Sequence, residues 1–294
     1  MAVFDGILLT SLNGLALAAV LFMVAVGLSL VFGTMDVLNL AHGSLALGGA
    51  YVGVVFLGTG GGLGQLVLAM IVATIVGLAA GLILSLLTRG IRDHLKQALL
   101  TLGLALIAAD LMRLAFGGDV KSVAAPSPLD GTIEILGRPY PTYRLFVIAM
   151  SLVVGGLLYA VIERSLSGAI VRATVADRVM VEALGIRTKV VLAAVFSIGA
   201  ALAVVGGLLA APVLGAQPGL DNTILLLALV VVVIGGLGSI KGAALGAILV
   251  GQVQTLGVAL LPEFASFLLF GAMAIVLLVR PGGLLPAAHA EVAR

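Results

Sequence analysis

Long apolar runs, separated by short polar or glycine-rich stretches, make up most of this chain. Nine runs are present, at residues 8–32, 41–57, 65–87, 96–116, 145–162, 190–211, 222–237, 242–261 and 264–280. A helix needs about 20 apolar residues to cross the hydrocarbon core of a bilayer, and most of the runs approach or exceed that length. The pattern predicts an all-α, polytopic membrane protein.

Two of the runs are short for a full span and contain glycine, those at residues 41–57 and 222–237. Short or broken membrane helices often line transport pathways. Five spans precede residue 190, so a repeat of spans 1–4 within spans 6–9 would be inverted across the membrane. No linker or low-complexity tract divides the chain, which predicts one transmembrane domain over residues 1–294.

The composition supports the membrane class. Apolar residues form 62% of the chain and charged residues 10%, against about 25% charged residues in soluble domains. Cysteine is absent, which excludes disulfides, thiol catalysis and thiolate metal sites. No basic patch is interleaved with aromatic residues, so a nucleic-acid partner is not indicated; the expected surroundings are a lipid bilayer.

The distribution of Lys and Arg predicts the orientation of the spans, because basic loops stay in the cytoplasm. The most basic interval is 163–189, and a second basic loop surrounds Arg89. Alternation of nine spans then places the N-terminus outside and the C-terminus in the cytoplasm. The basic residues expected outside the cytoplasm are Lys121, Arg138 and Arg144. They belong to segment 117–144, in which a turn and a small hairpin are predicted at Gly137-Arg138.

Within the basic interval, Thr174–Leu184 has the pattern of a short amphipathic helix. Thr174 is placed to cap its N-terminus, with Asp177 three residues later as a capping box, and Gly185 is a suitable left-handed terminator. Val175, Val179 and Ala183 share one face, whereas Asp177, Arg178 and Glu182 point elsewhere. The helix could lie on anionic lipid. Its mixture of acidic and basic residues favours docking to a soluble partner instead.

A second polar interruption, GTMDVLNLAHGS at residues 33–44, follows the first span. Asp36, Asn39 and His42 are spaced by three, so a helix would place them on one face. They could form a polar turn that caps two helices, or a break that lines the substrate pathway; both interpretations remain open. One His and one Asp are too few ligands for a metal site.

Asp110 and Arg113 are charged residues inside the fourth span. Their i,i+3 spacing favours a pair that neutralises both charges over the alternative of a substrate site.

Motifs for catalysis or nucleotide binding are absent from the sequence. GGLGSIKGAALG at 235–246 lacks the glycine before the lysine and the Ser or Thr after it, so it fails the phosphate-loop pattern. A tight, glycine-rich crossing between two spans is the better interpretation. We therefore expect no cofactor and no enzymatic activity in this chain.

Several motifs together resemble a LivH-type permease subunit of the branched-chain (hydrophobic) amino acid ABC importers. Residues 39–43, Asn-Leu-Ala-His-Gly, are similar to the N-F-A-H-G element of that family. Gly235-Gly236-Leu237-Gly238-Ser239 with Gly242-Ala243 resembles its G-G-x-G-S-x-x-G-A crossing, and residues 280–284 resemble its C-terminal R-P-x-G-L. Residues 183–186 lie where the family has its cytoplasmic coupling segment. The resemblance covers almost the whole chain.

The resemblance implies a bacterial inner-membrane permease that pairs with a second, related permease. Two cytoplasmic ATPase subunits would drive the pair, and a periplasmic binding protein would deliver the substrate. The coupling helix is expected to contact the ATPase, and segment 117–144 the binding protein. Two positions depart from the expected patterns. Glycine follows Glu182 by three residues rather than the six of the E-A-A-x-x-x-G loop of other importers, and Lys241 stands where a neutral residue or proline is common.

The substrate stays open, because similar permeases serve branched-chain amino acids, urea, short amides or aromatic acids. A stand-alone secondary transporter or channel is the competing class. It would need coupling charges deep in the membrane, where only Asp110 and Arg113 qualify.

Overall fold

The computed structural model describes residues 2–35, 39–91, 93–135 and 137–285. Nine of its helices coincide with the nine apolar runs. They are α1 (Ala2–Met35), α2 (His42–Phe56), α3 (Leu63–Thr88), α4 (His94–Phe116), α5 (Thr142–Arg164), α8 (Thr188–Leu214), α9 (Leu220–Gly235), α10 (Ile240–Leu260) and α11 (Ala265–Val279). Two shorter helices, α6 (Leu166–Ala176) and α7 (Arg178–Ala183), follow α5, and a 3-10 turn at Pro262–Phe264 precedes α11. The predicted all-α, polytopic fold is confirmed.

Length separates these helices into two groups. In the described part of the chain, six helices are long and apolar enough to cross a membrane: α1, α3, α4, α5, α8 and α10. Helices α2 and α9 are short, as predicted, with 15 and 16 residues. Helix α11 is also short, with 15 residues, although only the other two runs were predicted to be short.

Helices α1 and α8 form the centre of the bundle, and glycine lets them cross closely. A Cβ atom added to Gly27 of α1 would lie 2.4 Å from the carbonyl oxygen of Gly199 in α8. The crossing of α2 with α8 is closer still: a Cβ on Gly207 would lie 1.8 Å from the Ala46 oxygen, and one on Gly49 would lie 1.8 Å from the Val204 oxygen. Small residues are the usual means of bringing membrane helices into such contact.

The packing has the reciprocal pattern expected of two inverted halves. The two halves are α1–α4 and α8–α11. Helix α3 packs along α8, and α10 packs along α1, so the third helix of each half lies on the first helix of the other. The short helices α2 and α9 occupy corresponding positions and meet, since a Cβ on Gly43 of α2 would lie 2.2 Å from the Asp221 oxygen of α9.

A small sheet and two bridges form the end of the bundle that carries segment 117–144. Strands β1 (Thr132–Ile135) and β2 (Arg138–Pro141) are antiparallel, and Ile135 pairs with Arg138. The predicted hairpin is therefore confirmed. Lys121 forms a bridge with Ala216 through both backbone groups, at 2.8 and 2.9 Å, which ties this segment to the connection between α8 and α9.

Candidate coupling and transport site

The opposite end of the bundle, called here the basic end, contains a polar cavity of about 780 Å³. It lies where α3 ends, α4 begins, and α6 and α7 lead into α8. Its lining includes Arg89, His94, Thr174, Arg178, Glu182 and Lys189. The basic interval is therefore part of a cavity at the end of the bundle.

The segment predicted as one helix over 174–184 is instead two helices. Ser165 caps α6, because its Oγ accepts a hydrogen bond from the Gly168 amide at 3.1 Å. Thr174 lies inside α6, where its buried hydroxyl donates to the Ile170 carbonyl at 2.8 Å. The predicted cap at Thr174 and the single helix are both wrong.

Asp177 causes the break. Its backbone is extended, with φ −151° and ψ 94°, and its Oδ1 accepts a hydrogen bond from the Met180 amide at 2.9 Å. A carboxylate that bonds the amide three residues ahead starts a new helix rather than continuing the previous one. The same residue closes α6 through its amide, which donates to the Ala173 carbonyl at 2.9 Å.

The predicted terminator at Gly185 is confirmed. Its φ is +82°, in the left-handed region. The Gly185 amide donates to the Glu182 carbonyl at 3.0 Å, and the Ile186 amide donates to the Val181 carbonyl at 3.3 Å. These two bonds form a Schellman motif, which satisfies carbonyl groups at the end of α7.

Arg178 and Glu182 join α7 to the start of α8. Arg178 Nε donates to Glu182 Oε1 and to Thr188 Oγ1, both at 3.2 Å. The Thr188 hydroxyl also donates to Glu182 Oε1. These three residues are called the clamp below. Sequence reasoning missed Thr188; its only signal was its place at the start of a span.

The clamp lowers the pKa of the Glu182 carboxyl, through the hydrogen bond from Thr188 first and that from Arg178 second. The folded state therefore favours the ionised form. Its stabilising contribution is present above the ordinary pKa of glutamate and is lost as pH falls through the lowered value. The Glu182 carboxyl is therefore ionised at neutral pH.

The apolar side chains of α7 point mostly away from the protein. Val181 is buried, whereas Val179, Met180 and Leu184 are 79%, 60% and 70% exposed. The predicted apolar face of Val175, Val179 and Ala183 is exposed as well. This small helix thus presents exposed apolar side chains next to a half-exposed ion pair.

The pathway candidates lie at the start of α2, except Asp36, which falls outside the described residues. Asn39 precedes the helix and His42 is its first residue, so the prediction of a shared helical face is wrong. The Asn39 Oδ1 accepts a hydrogen bond from the Ala41 amide at 3.1 Å. Such a local turn competes with helix, which explains why α2 begins only after Asn39.

Both side chains are fully buried. His42 Nε2 lies 2.9 Å from the Val24 carbonyl, and because a carbonyl can only accept, this nitrogen carries the proton. His42 Nδ1 and Asn39 Nδ2 have no hydrogen-bond partner within the described ranges. The adjoining backbone is tied to α4, since the Leu40 amide donates to Thr101 Oγ1 at 3.1 Å.

The basic residues expected outside the cytoplasm have different surroundings. Arg144 lies in the first turn of α5, where its guanidinium donates to Asn13 Oδ1 of α1. Arg138 is exposed on β2, and Lys121 is half-buried beside the α8–α9 connection. Arg144 therefore has a structural contact that its sequence position did not indicate.

The predicted pair of Asp110 and Arg113 does not form. Both residues are exposed on α4, and the described part of the chain contains no ion pair between them.

The glycine-rich crossing and the C-terminal motif pack on each other. A Cβ on Gly283 would lie 2.6 Å from the Gly236 backbone, and the Leu284 amide donates to the Ile234 carbonyl at 2.8 Å. Gly235 and Gly242 also touch, at 2.3 Å from an added Cβ to the opposing oxygen. The glycines of 235–246 thus allow close packing, as the sequence predicted.

Residues 10–278 match the family described as the permease component of branched-chain amino acid transport systems. The chain belongs to this permease family. It is 30% identical over 292 residues to the high-affinity branched-chain amino acid transport system permease protein BraD of Pseudomonas aeruginosa, covering 93% of this chain and 94% of BraD. It is 28% identical over 289 residues to LivH of Escherichia coli K12, covering 93% of each chain.

A more distant relative is the probable branched-chain amino acid transport permease protein LivM of Methanocaldococcus jannaschii, 28% identical over 248 residues, 76% of this chain and 69% of LivM. No solved structure matches the chain significantly. The permease is a multi-pass membrane protein and a transport subunit.

Proposed function

We propose that the permease is the membrane-spanning subunit of an ATP-driven importer that carries branched-chain or other hydrophobic amino acids. The observation that carries this proposal is the similarity to BraD over 93% of the chain. In the proposed orientation the basic end faces the cytoplasm, the N-terminus lies outside and residues 1–294 act as one domain. A periplasmic binding protein, two cytoplasmic ATPase subunits and a second permease complete the importer in a bacterial inner membrane.

Helix α7 is the proposed contact with the ATPase. Its exposed Val179, Met180 and Leu184 offer apolar contact area, and the clamp holds that area at a fixed angle to α8. A movement of the ATPase can then be transmitted to a central helix of the bundle. Arg178 and Glu182 retain about half of their exposed surface, with 49% and 47% of each side chain accessible, so they can also contact the partner.

Helix α4 is the proposed contact with the second permease. One stripe of its extensive exposed surface is formed by Leu95, Leu99, Leu102, Leu106, Asp110 and Arg113. Asp110 lies six residues from the end of the helix, which is about 9 Å along its axis. An acidic side chain at this depth is costly against lipid, by up to about 3 kcal/mol. A second permease chain that covers the stripe would remove that contact with lipid.

Of the two open interpretations of the 36–42 break, a capping turn or a lining of the substrate pathway, we favour the pathway. His42 and Asn39 place unpartnered polar atoms inside an apolar bundle, where α2 meets α9. Buried polar groups are normally paired, and polar groups in the interior of a transporter commonly mark its substrate route.

Replacing His42 with glutamine should reduce uptake about tenfold while the permease still assembles. Gln can keep a donor near the Val24 carbonyl, yet it lacks an acceptor at the position of Nδ1. Loss of one such hydrogen bond corresponds to about 1.4 kcal/mol. Uptake is measured in proteoliposomes, and assembly by size-exclusion chromatography. Wild-type uptake with His42→Gln, together with loss of assembly in His42→Leu, would show that the side chain has only the structural role.

Reversing the charge of Arg138 should slow association of the binding protein and weaken its dependence on salt. Arg138 is exposed on the hairpin, and rim charges of this kind chiefly affect the association rate. The association rate of Arg138→Glu should fall about tenfold at low ionic strength, as measured by surface plasmon resonance. Lys121→Glu is the second test of the same surface. Arg144→Gln is the control, because Arg144 contacts Asn13. A slower association with Arg144→Gln, together with an unchanged rate for Arg138→Glu, would exclude the hairpin as the docking surface.

Reconstitution tests the proposed function as a whole. Proteoliposomes that contain the permease with its partner subunits should accumulate labelled leucine only with ATP and the loaded binding protein. Competition by isoleucine and valine, but not by urea, short amides or aromatic acids, would set the substrate class. Accumulation by the permease alone, driven by an ion gradient, would instead establish a secondary transporter.

A further inference from the structure

An apolar groove of about 350 Å³ runs along the outside of the bundle between α1, α5 and α10. Small residues leave this space: Ala18 and Ala19 of α1, Gly155 and Gly156 of α5, and Ala244 of α10. Gly155 lets α5 approach α1 closely, because a Cβ there would lie 3.0 Å from the ring of Phe22. The groove is therefore built by residues from three separate helices.

The groove ends in a cationic and aromatic cluster at the basic end. Lys241 Nζ lies 5.0 Å from the centroid of the Tyr159 ring, and Arg164 Cζ lies 5.6 Å from it. Both distances are within the range of cation–π attraction. Within the described residues no carboxylate lies within 4.0 Å of either cation, although the exposed Glu163 is next to Arg164 in the chain.

The length of the groove is close to the thickness of the hydrocarbon region of one leaflet. On α5 its lining extends from Ile148 to Tyr159, a distance of about 16 Å along a helix. Half of a hydrocarbon core is about 15 Å thick. The groove is therefore long enough for the acyl chain of one leaflet, and the two cations lie at its end nearest the basic end.

We propose that this groove binds an anionic phospholipid of the leaflet at the basic end, which the orientation proposed above makes the cytoplasmic leaflet. One acyl chain lies between α1, α5 and α10, and the phosphate lies between Lys241 and Arg164. Tyr159 holds both cations at the mouth of the groove. Lys and Arg side chains near the membrane surface attract anionic lipid, so the pair selects for charge.

Tryptophan fluorescence tests the lipid directly, since the chain contains no Trp. Leu152→Trp places a single fluorophore on the groove, at a residue that is 71% exposed. Ile75→Trp is the control, in the middle of α3 and 60% exposed. The full-length chain is placed in phosphatidylcholine nanodiscs that contain a minor fraction of brominated phosphatidylglycerol. We expect a relative affinity for phosphatidylglycerol about fivefold higher at position 152 than at position 75.

Two variants, one double and one single, connect this preference to the cations. Lys241→Gln with Arg164→Gln should return position 152 to the value of the control, whereas Lys241→Arg should preserve the preference. Equal quenching by brominated phosphatidylglycerol and phosphatidylcholine at position 152 would overturn the proposal. So would relief of quenching by inorganic phosphate, which would identify a soluble anion as the ligand.

The same quenching measurement is then made on the assembled importer. If the fluorophore introduced by Leu152→Trp is shielded from every brominated lipid there, a permease chain covers the groove and the lipid proposal fails. None of these readouts requires transport, so they distinguish failure of the lipid site from failure of the proposed function.

Discussion

Replacing Gly207 with valine should prevent the permease from folding into a stable bundle. The Cβ atom would lie 1.8 Å from the Ala46 carbonyl oxygen, far inside van der Waals contact. The obstacle is helix backbone, which cannot rotate away as a side chain can. The neighbouring Gly49–Val204 contact is equally close, so α2 cannot move from α8 without losing that contact as well. Overpacking of a core ordinarily costs about 1–3 kcal/mol, and separation of two buried helices should exceed that range.

Gly103→Val is the matched control for Gly207→Val. Gly103 also lies inside a long helix, yet a Cβ there meets no atom within 4 Å. Monodispersity in detergent and the thermal unfolding temperature are measured for both variants. Equal unfolding temperatures would show that the α2–α8 crossing tolerates separation.

This contrast between two glycines shows what the sequence could predict about the fold. Hydropathy marks each span, because lipid requires apolar side chains along the whole length of a helix. It does not distinguish a face against lipid from a face against another helix, since both are apolar. Gly103 and Gly207 therefore look alike in the sequence. The predicted short helices and hairpin depend on local signals, and those predictions are confirmed.

In the candidate site, too, features that depend on local sequence could be predicted, whereas contacts between helices could not. Gly185 could be predicted because a left-handed terminator is a local property of the chain. The break at Asp177 was missed because Thr174 and Asp177 can both serve as caps, and the choice depends on burial of Thr174 in α6. The clamp needs Thr188 from the next helix, and the enclosed environment of His42 depends on α1. Neither contact has a sequence signal of its own.

Replacing Gly185 with valine should uncouple ATP hydrolysis from transport. At φ +82° a β-branched residue is strained, at a cost of about 1–3 kcal/mol. Helix α7 has six residues and a single buried apolar anchor, Val181. It has little binding energy to resist that strain, so the Schellman motif should open and the exposed apolar surface should lose its angle to α8. ATPase activity should then no longer respond to loaded binding protein, and uptake should fall to background.

Gly185→Asn is the control that separates strain from loss of the glycine itself, because asparagine adopts the left-handed conformation with less strain than other residues. It should retain stimulated hydrolysis and uptake. If Gly185→Val also retains them, the angle of α7 is irrelevant to coupling.

Cross-linking shows whether α7 touches the ATPase at all. The chain has no native cysteine, so Val179→Cys and Leu184→Cys place single thiols on the exposed surface and leave Arg178, Glu182 and Thr188 in place. Both should cross-link to cysteines on the ATPase, and the yield should change between nucleotide-free and ATP-bound states. Ile75→Cys on α3 is the control and should give no product. Absence of cross-links at both α7 positions, in an importer that still transports, would exclude this helix as the coupling element. The clamp would then serve only to close the end of the bundle.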